Sequence, residues 1–399
     1  MTAFPALASE GAGDRPRDLN QQPGRPAARA PLLCSIWSAP APPVLTGIEW
    51  EKFLAHARRT RLIGRLAEQF RARGWLDGLP AGPAAQLRNA LKEARRLHDE
   101  TAWEATQLRE ALARVPTPIV LLKGAAYVLA DLPPKPGRMF GDVDLLIERS
   151  QLRAAEGALL AKGWVAARLD PYDERYYRDL MHELPPMQHI ERQTHIDVHH
   201  TLAPPTSRYA LDARTLMAQR VALPAYPGLY VLAPCDMVLH SVAHLLQEGQ
   251  FTTGLRDLLD IRDLLVHFGR DPAFGPRLLQ RATQLGLTTP LYYAWKLASV
   301  LLAMPSAPEF AERIGHCAPR WPQRRLMLRL LATVMLGNDP AGTQRGETCA
   351  RLLLYVRSHW MRMPWYQILP HLARKSWKRM RRRSDEREAL PAWGWGQKR

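Results

Sequence analysis

Cysteine is scarce in this 399-residue chain: Cys34, Cys235, Cys317 and Cys349 lie far apart and form no C-x-x-C pair. That spacing excludes a cysteine zinc site and a disulfide framework, and predicts reduced thiols. Long apolar runs are missing as well. No stretch reaches the roughly 20 apolar residues that a membrane helix needs, and the N-terminus lacks the basic-then-apolar layout of a signal peptide. The expectation is a cytoplasmic protein with no transmembrane segment. Acid is in deficit, with 38 Asp and Glu against 55 Lys and Arg, a net charge of +17 and a pI near 10.1. Such an imbalance calls for a negatively charged partner: nucleic acid, nucleotide, membrane surface or acidic polysaccharide. Arginine outnumbers lysine and accompanies many alanines and prolines, a usage that fits a genome rich in G and C and discounts the charge as a guide to partners.

What is present is a hydrophobic share of 46% and enough length for two or three domains with real cores. Residues 1–45 are rich in Pro, Ala and Gly without apolar periodicity and are expected to be disordered. Helical spacing then begins: Trp50, Phe53, Leu54, Ala57, Leu62, Leu66 and Phe70 predict one helix, and about 84–112 predicts a second, giving an N-terminal helical region over 46–115. The period changes at "TPIVLLKGAAYVLADL", where a buried strand, Ile119 to Leu122, turns into a helix at Lys123 and Gly124. The loop "PPKPGRMF" leads into "GDVDLLIERSQLRAAEGALLAKGW", a strand and a helix over about 151–161, and "THIDVHHTL" is another alternating strand. The fold class expected is α+β, with a small mixed sheet and flanking helices over 116–205. A helical C-terminal domain is expected over 206–370, and a basic tail over 371–399.

Asp142 and Asp144 fall on one face of their strand, while Val143 and Leu145 point to the other. An isolated D-x-D can be a solvated strand end; two acids held on one buried face instead suggest a divalent cation, because hard cations prefer carboxylate oxygen. In "HIDVHH", His195, Asp197 and His199 share a face. A third carboxylate on a strand beside the first pair suits two-metal phosphoryl chemistry. The strand-to-helix turn at Lys123-Gly124 offers backbone amides to a phosphate, with a glycine that permits close approach.

Taken together, "LLKGAA", an arginine shortly before "DVDLLI", then "IDVHHTL" and a helical C-terminal half resemble an uncharacterised bacterial branch of the nucleotidyltransferase superfamily related to DNA polymerase beta. The resemblance covers about 48–370, with its motifs in 119–202. It implies transfer of a nucleoside monophosphate from a triphosphate such as ATP to a hydroxyl acceptor, with Mg²⁺ or Mn²⁺ as cofactor and pyrophosphate released. Carried over by motif, Asp142 and Asp144 match the metal-binding pair, Asp197 the third carboxylate that also activates the acceptor, and Gly124 the nucleotide-binding turn. Ala125 stands where the superfamily usually has Gly or Ser, so the donor phosphates must rely on backbone amides or on Lys123. The acceptor, whether small molecule, sugar, protein or RNA, is not readable. The alternative is a non-catalytic nucleotide- or nucleic-acid-binding module on the same fold.

Other candidates carry two readings each. Lys123 is a phosphate contact or a strand-end cation, and Arg138 is a bidentate triphosphate ligand or a surface arginine. His195 and His199 could serve a zinc hydrolase, but H-x-D-x-H-H lacks its usual spacing and leaves Asp142 and Asp144 unexplained. His182 and Glu183 line the pocket or belong to an ordinary loop. His240 and His244, four apart on a helix with Asp257, Asp260 and Asp263 downstream, form a metal face or a hydrogen-bonded helix face. The basic run Arg374 to Arg383, which includes Trp377, offers weak contact with an anionic surface or is solvated.

Overall fold

The computed structural model describes residues 32–166, 183–203, 207, 209, 211–337 and 346–362. The chain opens with a short helix, α1 (Leu32–Ser35), then α2 (Gly47–Arg59), α3 (Ile63–Ala72) and the long α4 (Ala81–Ala111). The expected disorder of residues 1–45 is corrected from Leu32 onward, since Leu33, Cys34, Ile36 and Trp37 are buried in the core; residues 1–31 lie outside the described residues. A composition rich in Pro and Ala hid four apolar side chains in "LLCSIW", a number too small to show a period.

The single helix expected over Trp50 to Phe70 is two. Arg61 turns left-handed at φ 54°, and the Leu62 amide reaches back to the Ala57 carbonyl at 2.7 Å. No Gly or Pro marks that break, so apolar spacing ran through it. At the start of α2, Glu49 accepts from the Thr46 amide at 2.8 Å, one half of a capping box. The buried stripe of α4, including Ala84, Leu87, Leu91, Ala94, Ala105 and Leu108, follows helical spacing.

The αβ unit then runs β1 (Ile119–Leu121), α5 (Lys123–Leu129), β2 (Asp142–Leu146), α6 (Leu152–Leu160), β3 (Trp164–Ala166), β4 (Met187–His189) and β5 (His195–His199). After α7 (Ala213–Ala218) come β6 (Val221–Ala222) and β7 (Leu229–Val231). The seven strands form one mixed sheet in the order β3-β4-β5-β2-β1-β7-β6. The architecture is α+β. The strand β7 lies parallel to β1, so the sheet continues past residue 205, inside the stretch expected to be purely helical. "LYV" is too short to announce a strand and gains its place from long-range pairing with β1.

The remaining helices are α8 (Pro234–Gln247), α9 (Gly254–Phe268), α10 (Phe274–Gln284), α11 (Thr288–Leu301), α12 (Pro308–Gly315), α13 (Trp321–Leu336) and α14 (Glu347–Arg362). One apolar cluster joins all these regions, from Leu33 to Leu354. Among the described residues no helix is long and apolar enough to cross a membrane.

Two features place the loop before β2. Arg65 of α3 donates to the carbonyls of Pro133, Pro134 and Pro136 at 2.9, 2.8 and 3.2 Å. Beside it, Gly137 at φ 74° backs onto α3 so closely that a Cβ there would sit 2.2 Å from the Gly64 carbonyl oxygen. His98 of α4 meets the Arg138 carbonyl at 2.9 Å. The loop is thereby pinned before the chain enters β2.

Candidate active site

The central pair of strands builds the site. Strands β2 and β5 run parallel, with Asp142 opposite His195, Asp144 opposite Asp197 and Leu146 opposite His199. Side chains at alternate positions share a face, so this register lays Asp142, Asp144, His195, Asp197 and His199 on one side of the sheet. The other side takes Val143, Leu145, Ile196 and Val198, all buried. That apolar half fixes the register, because a slip of one residue would bury the acids in the core.

The depths differ. Asp142 is exposed, Asp197 half-buried and Asp144 buried. Lys123 Nζ donates to Asp144 Oδ1 at 3.1 Å, and His199 Nε2 donates to the same oxygen at 3.0 Å. Burial would raise the Asp144 pKa, but the Lys123 charge and the His199 bond outweigh it and hold the carboxyl well below the usual range. Burial likewise works against the charged forms of Lys123 and His199, yet Asp144 and Glu183 leave both more basic than usual. Asp197 moves the opposite way: burial first, then the charges of Asp144, Glu183 and Asp142, push its pKa up to about 7, with His199 opposing. Four carboxylates thus converge around two cations.

Glu183 joins this group. It forms a β-bridge with His199, and its Oε2 lies 3.6 Å from His199 Nε2. Of the "MHELPPM" candidates, His182 lies outside the described residues. Lys123 opens α5 at φ 45°, a left-handed conformation that a β-bearing side chain adopts only under surrounding constraint; it turns the ammonium onto Asp144.

Arg138 and Gly124, expected as nucleotide-binding residues, each carry a packing role in the structure. Arg138 is buried, and its Nε donates to Asp260 Oδ2 at 2.7 Å. Its guanidinium stacks 5.3 Å from the centres of the Tyr127 and Phe140 rings. A Cβ on Gly124 would fall 2.4 Å from Arg138 Nη1 and 2.9 Å from Phe140 Cδ2. The glycine is therefore required here by the packing of Arg138 and Phe140 against α5.

The α9 aspartates are ion-paired. Asp257 takes Arg256, Nη2 to Oδ1 at 2.7 Å; Asp260 takes Arg138; Asp263 takes Arg65 and Arg262. His240 is buried and, by burial and then the nearby charges of Lys123, His244 and His199, lies well below its usual pKa. His244 is half-buried and its charge bears on both Asp144 and Asp257. Among the described residues no three His, Cys, Asp or Glu side chains stand ready to hold a metal ion. The His240–His244 face expected as a possible metal site is instead a helix face packed beside the carboxylates. Sequence reading passed over Arg256: its Nη1 donates to the Met139 carbonyl at 3.4 Å, and although burial works against its charge, Asp257, Asp260 and then Asp142 leave its pKa raised. No motif marks that arginine; only the fold brings it to the loop before β2. The basic run Arg374 to Arg383, with Trp377, lies outside the described residues.

A buried strand-to-helix turn, Asp144 in register with Asp197 and two cationic groups on Asp144 form one charged cluster on this face of the sheet. The chain matches the model of an uncharacterised nucleotidyltransferase family over residues 46–303, and it belongs to that family. The match spans the whole sheet and its carboxylate face, together with α2 to α11. No curated protein and no solved structure matches the chain.

Proposed function

We propose that this nucleotidyltransferase moves a nucleoside monophosphate from a nucleoside triphosphate to a hydroxyl acceptor, using a divalent cation held by Asp142, Asp144 and Asp197. The observation that carries the reading is the register that sets Asp144 opposite Asp197 on parallel neighbouring strands. The donor set fits a hard cation in kind, since all three are carboxylates; the described side chains do not already stand as a closed ligand set, so they would have to draw together around the ion. Held by these carboxylates, Mg²⁺ or Mn²⁺ would neutralise triphosphate charge and lower the pKa of the attacking hydroxyl.

The chain's own residues do the rest. Asp197, the half-buried carboxyl on β5, receives the acceptor proton as the acceptor oxygen bonds to the α-phosphorus. The bond from that phosphorus to the oxygen bridging the α- and β-phosphates breaks, and that oxygen leaves with pyrophosphate. Lys123, held beside Asp144, faces the incoming phosphates, and Arg256 steadies the loop that presents Asp142. The nucleoside triphosphate, its base and the acceptor are set by loop contacts that carry no motif.

Incubation with each α-labelled triphosphate and Mg²⁺ or Mn²⁺, across a panel of hydroxyl acceptors including the protein itself, tests the proposal. Label transfer that Asp142→Asn removes is the expected result. A second reading, a nucleotide-binding module without catalysis, draws on Lys123 and His199, whose cationic groups both already rest on Asp144 Oδ1. Nucleotide binding without transfer to any acceptor would favour it.

A further inference from the structure

Lysine is uncommon in this chain, nine residues among 55 basic ones, and buried acids elsewhere are paired with arginine. Glu104, Asp236 and Asp260, all buried, take Arg192, Arg281 and Arg138. Asp144 differs: its cation is Lys123, whose side chain is 19% exposed against 7% for the aspartate. The difference matters chemically. A guanidinium is a planar fork, whereas an ammonium is a compact point charge that several oxygens can surround as they surround a metal ion.

The backbone is bent to put that charge there. Lys123 turns at φ 45°, left-handed for a residue with a Cβ, a conformation kept only where the surroundings over-determine it. Its Nζ then meets Asp144 Oδ1 at 3.1 Å, and His199 Nε2 meets the same oxygen at 3.0 Å. The charges of Glu183 and Asp142 also reach the ammonium and help keep it charged against burial. Lys123 thus lies in the field of three of the four carboxylates gathered here.

Charge sets how many further cations this face can take. With Asp197 ionised, four carboxylates oppose Lys123 and a His199 that Asp144 and Glu183 leave more basic than usual. Two negative charges are left over, the charge of a single divalent ion. Arg256 is matched by Asp257, and any charge on His244 leaves still less room for a second ion. The same occupancy agrees with the lack, among the described residues, of three His, Cys, Asp or Glu side chains ready to hold a metal. One oxygen of the central acid is already taken.

We infer that the Lys123 ammonium stands in for one of the two cations of a two-metal transferase, so that this site takes a single divalent ion, shared by Asp142, Asp197 and the other oxygen of Asp144. The inference rests on the metal-dependent reading above and says what kind of centre it is. Lys123 neutralises triphosphate charge as a point cation with no coordination shell to fill. Activation of the acceptor hydroxyl is left to the carboxylates and the one ion they hold.

Mn²⁺ binding to the full chain with a non-hydrolysable triphosphate tests this, read by electron paramagnetic resonance and by equilibrium dialysis corrected for Mn²⁺ on free triphosphate. The wild type is expected to hold a single, uncoupled ion per chain. Lys123→Met frees Asp144 Oδ1 and is expected to double the count, the two ions appearing as the spin-coupled pair that neighbouring metals give. Lys123→Gln, which can still donate to Asp144 without the charge, gives the same result and serves where Lys123→Met does not fold. His199→Gln keeps the ammonium and is expected to stay at one. A spin-coupled pair in the wild type overturns the inference and leaves the metal-dependent reading standing. So does a folded Lys123 variant that still holds one ion, or a His199→Gln protein that holds two. No bound Mn²⁺ in the wild type removes both the inference and the reading beneath it.

Discussion

Two sets of three aspartates lie in this protein and are treated in opposite ways. On α9, every acid has an arginine of its own: Asp257 with Arg256, Asp260 with Arg138, Asp263 with Arg65 and Arg262. On the strand pair, Lys123 and His199 both meet one oxygen of Asp144; among the described residues, neither Asp142 nor Asp197 has an ion-pair partner. A balanced set of buried charges ties elements together, here α3, the loop before β2 and α9. An unbalanced set leaves charge that a ligand would complete, and perturbed acids of that kind gather at functional sites.

The largest separation of the two sets is in activity. Asp142→Asn and Asp197→Asn are each expected to lower transfer roughly a thousandfold, about 4 kcal/mol of transition-state stabilisation, with little loss of folding stability; steady-state transfer and thermal unfolding, measured together, check both halves. Asp260→Ala reverses the pattern. It leaves the buried Arg138 guanidinium without its carboxylate and is expected to cost about 3–5 kcal/mol in denaturant unfolding. Gly124→Ala pushes a methyl against Arg138 and Phe140 and is expected to cost about 1–3 kcal/mol by the same measurement. A Gly124→Ala protein as stable as wild type would show that α5 is not packed as described.

A further separation is the dependence on pH. The Asp197 carboxyl titrates near 7 in the folded protein and near 4 when unfolded. Between these values the folded state binds the extra proton, so this site lowers stability progressively as pH rises from about 4 to about 7, and the loss then levels off. Asp197→Asn is expected to flatten that part of the metal-free stability profile. Mg²⁺, which competes with the proton, is expected to raise the thermal midpoint more at pH 8 than at pH 5. An equal rise at both would place the cation elsewhere.

The unbalanced set was the more legible of the two in the sequence. Alternation in "GDVDLLI" and "HIDVHH" announces both strands and the shared face, because period-two patterning is a local property. The pairing of Asp144 with His199 and Lys123 was not visible: it depends on the parallel register of β2 with β5 and on the left-handed turn at Lys123, and no local spacing encodes either. The balanced set was hidden for the same reason: the partner of Arg138, Asp260, lies 122 residues onward. The strand β7 escaped notice because three residues carry no period.

The most direct test of the central claim is Mn²⁺ binding, followed by electron paramagnetic resonance with a non-hydrolysable triphosphate present, in the wild type, Asp142→Asn, Asp197→Asn and Asp260→Asn. The strand-pair account predicts bound Mn²⁺ in the wild type, weakened at least tenfold by either strand substitution and retained, in whatever fraction stays folded, by the α9 one. Equal Mn²⁺ affinity in the wild type and both strand variants would contradict it.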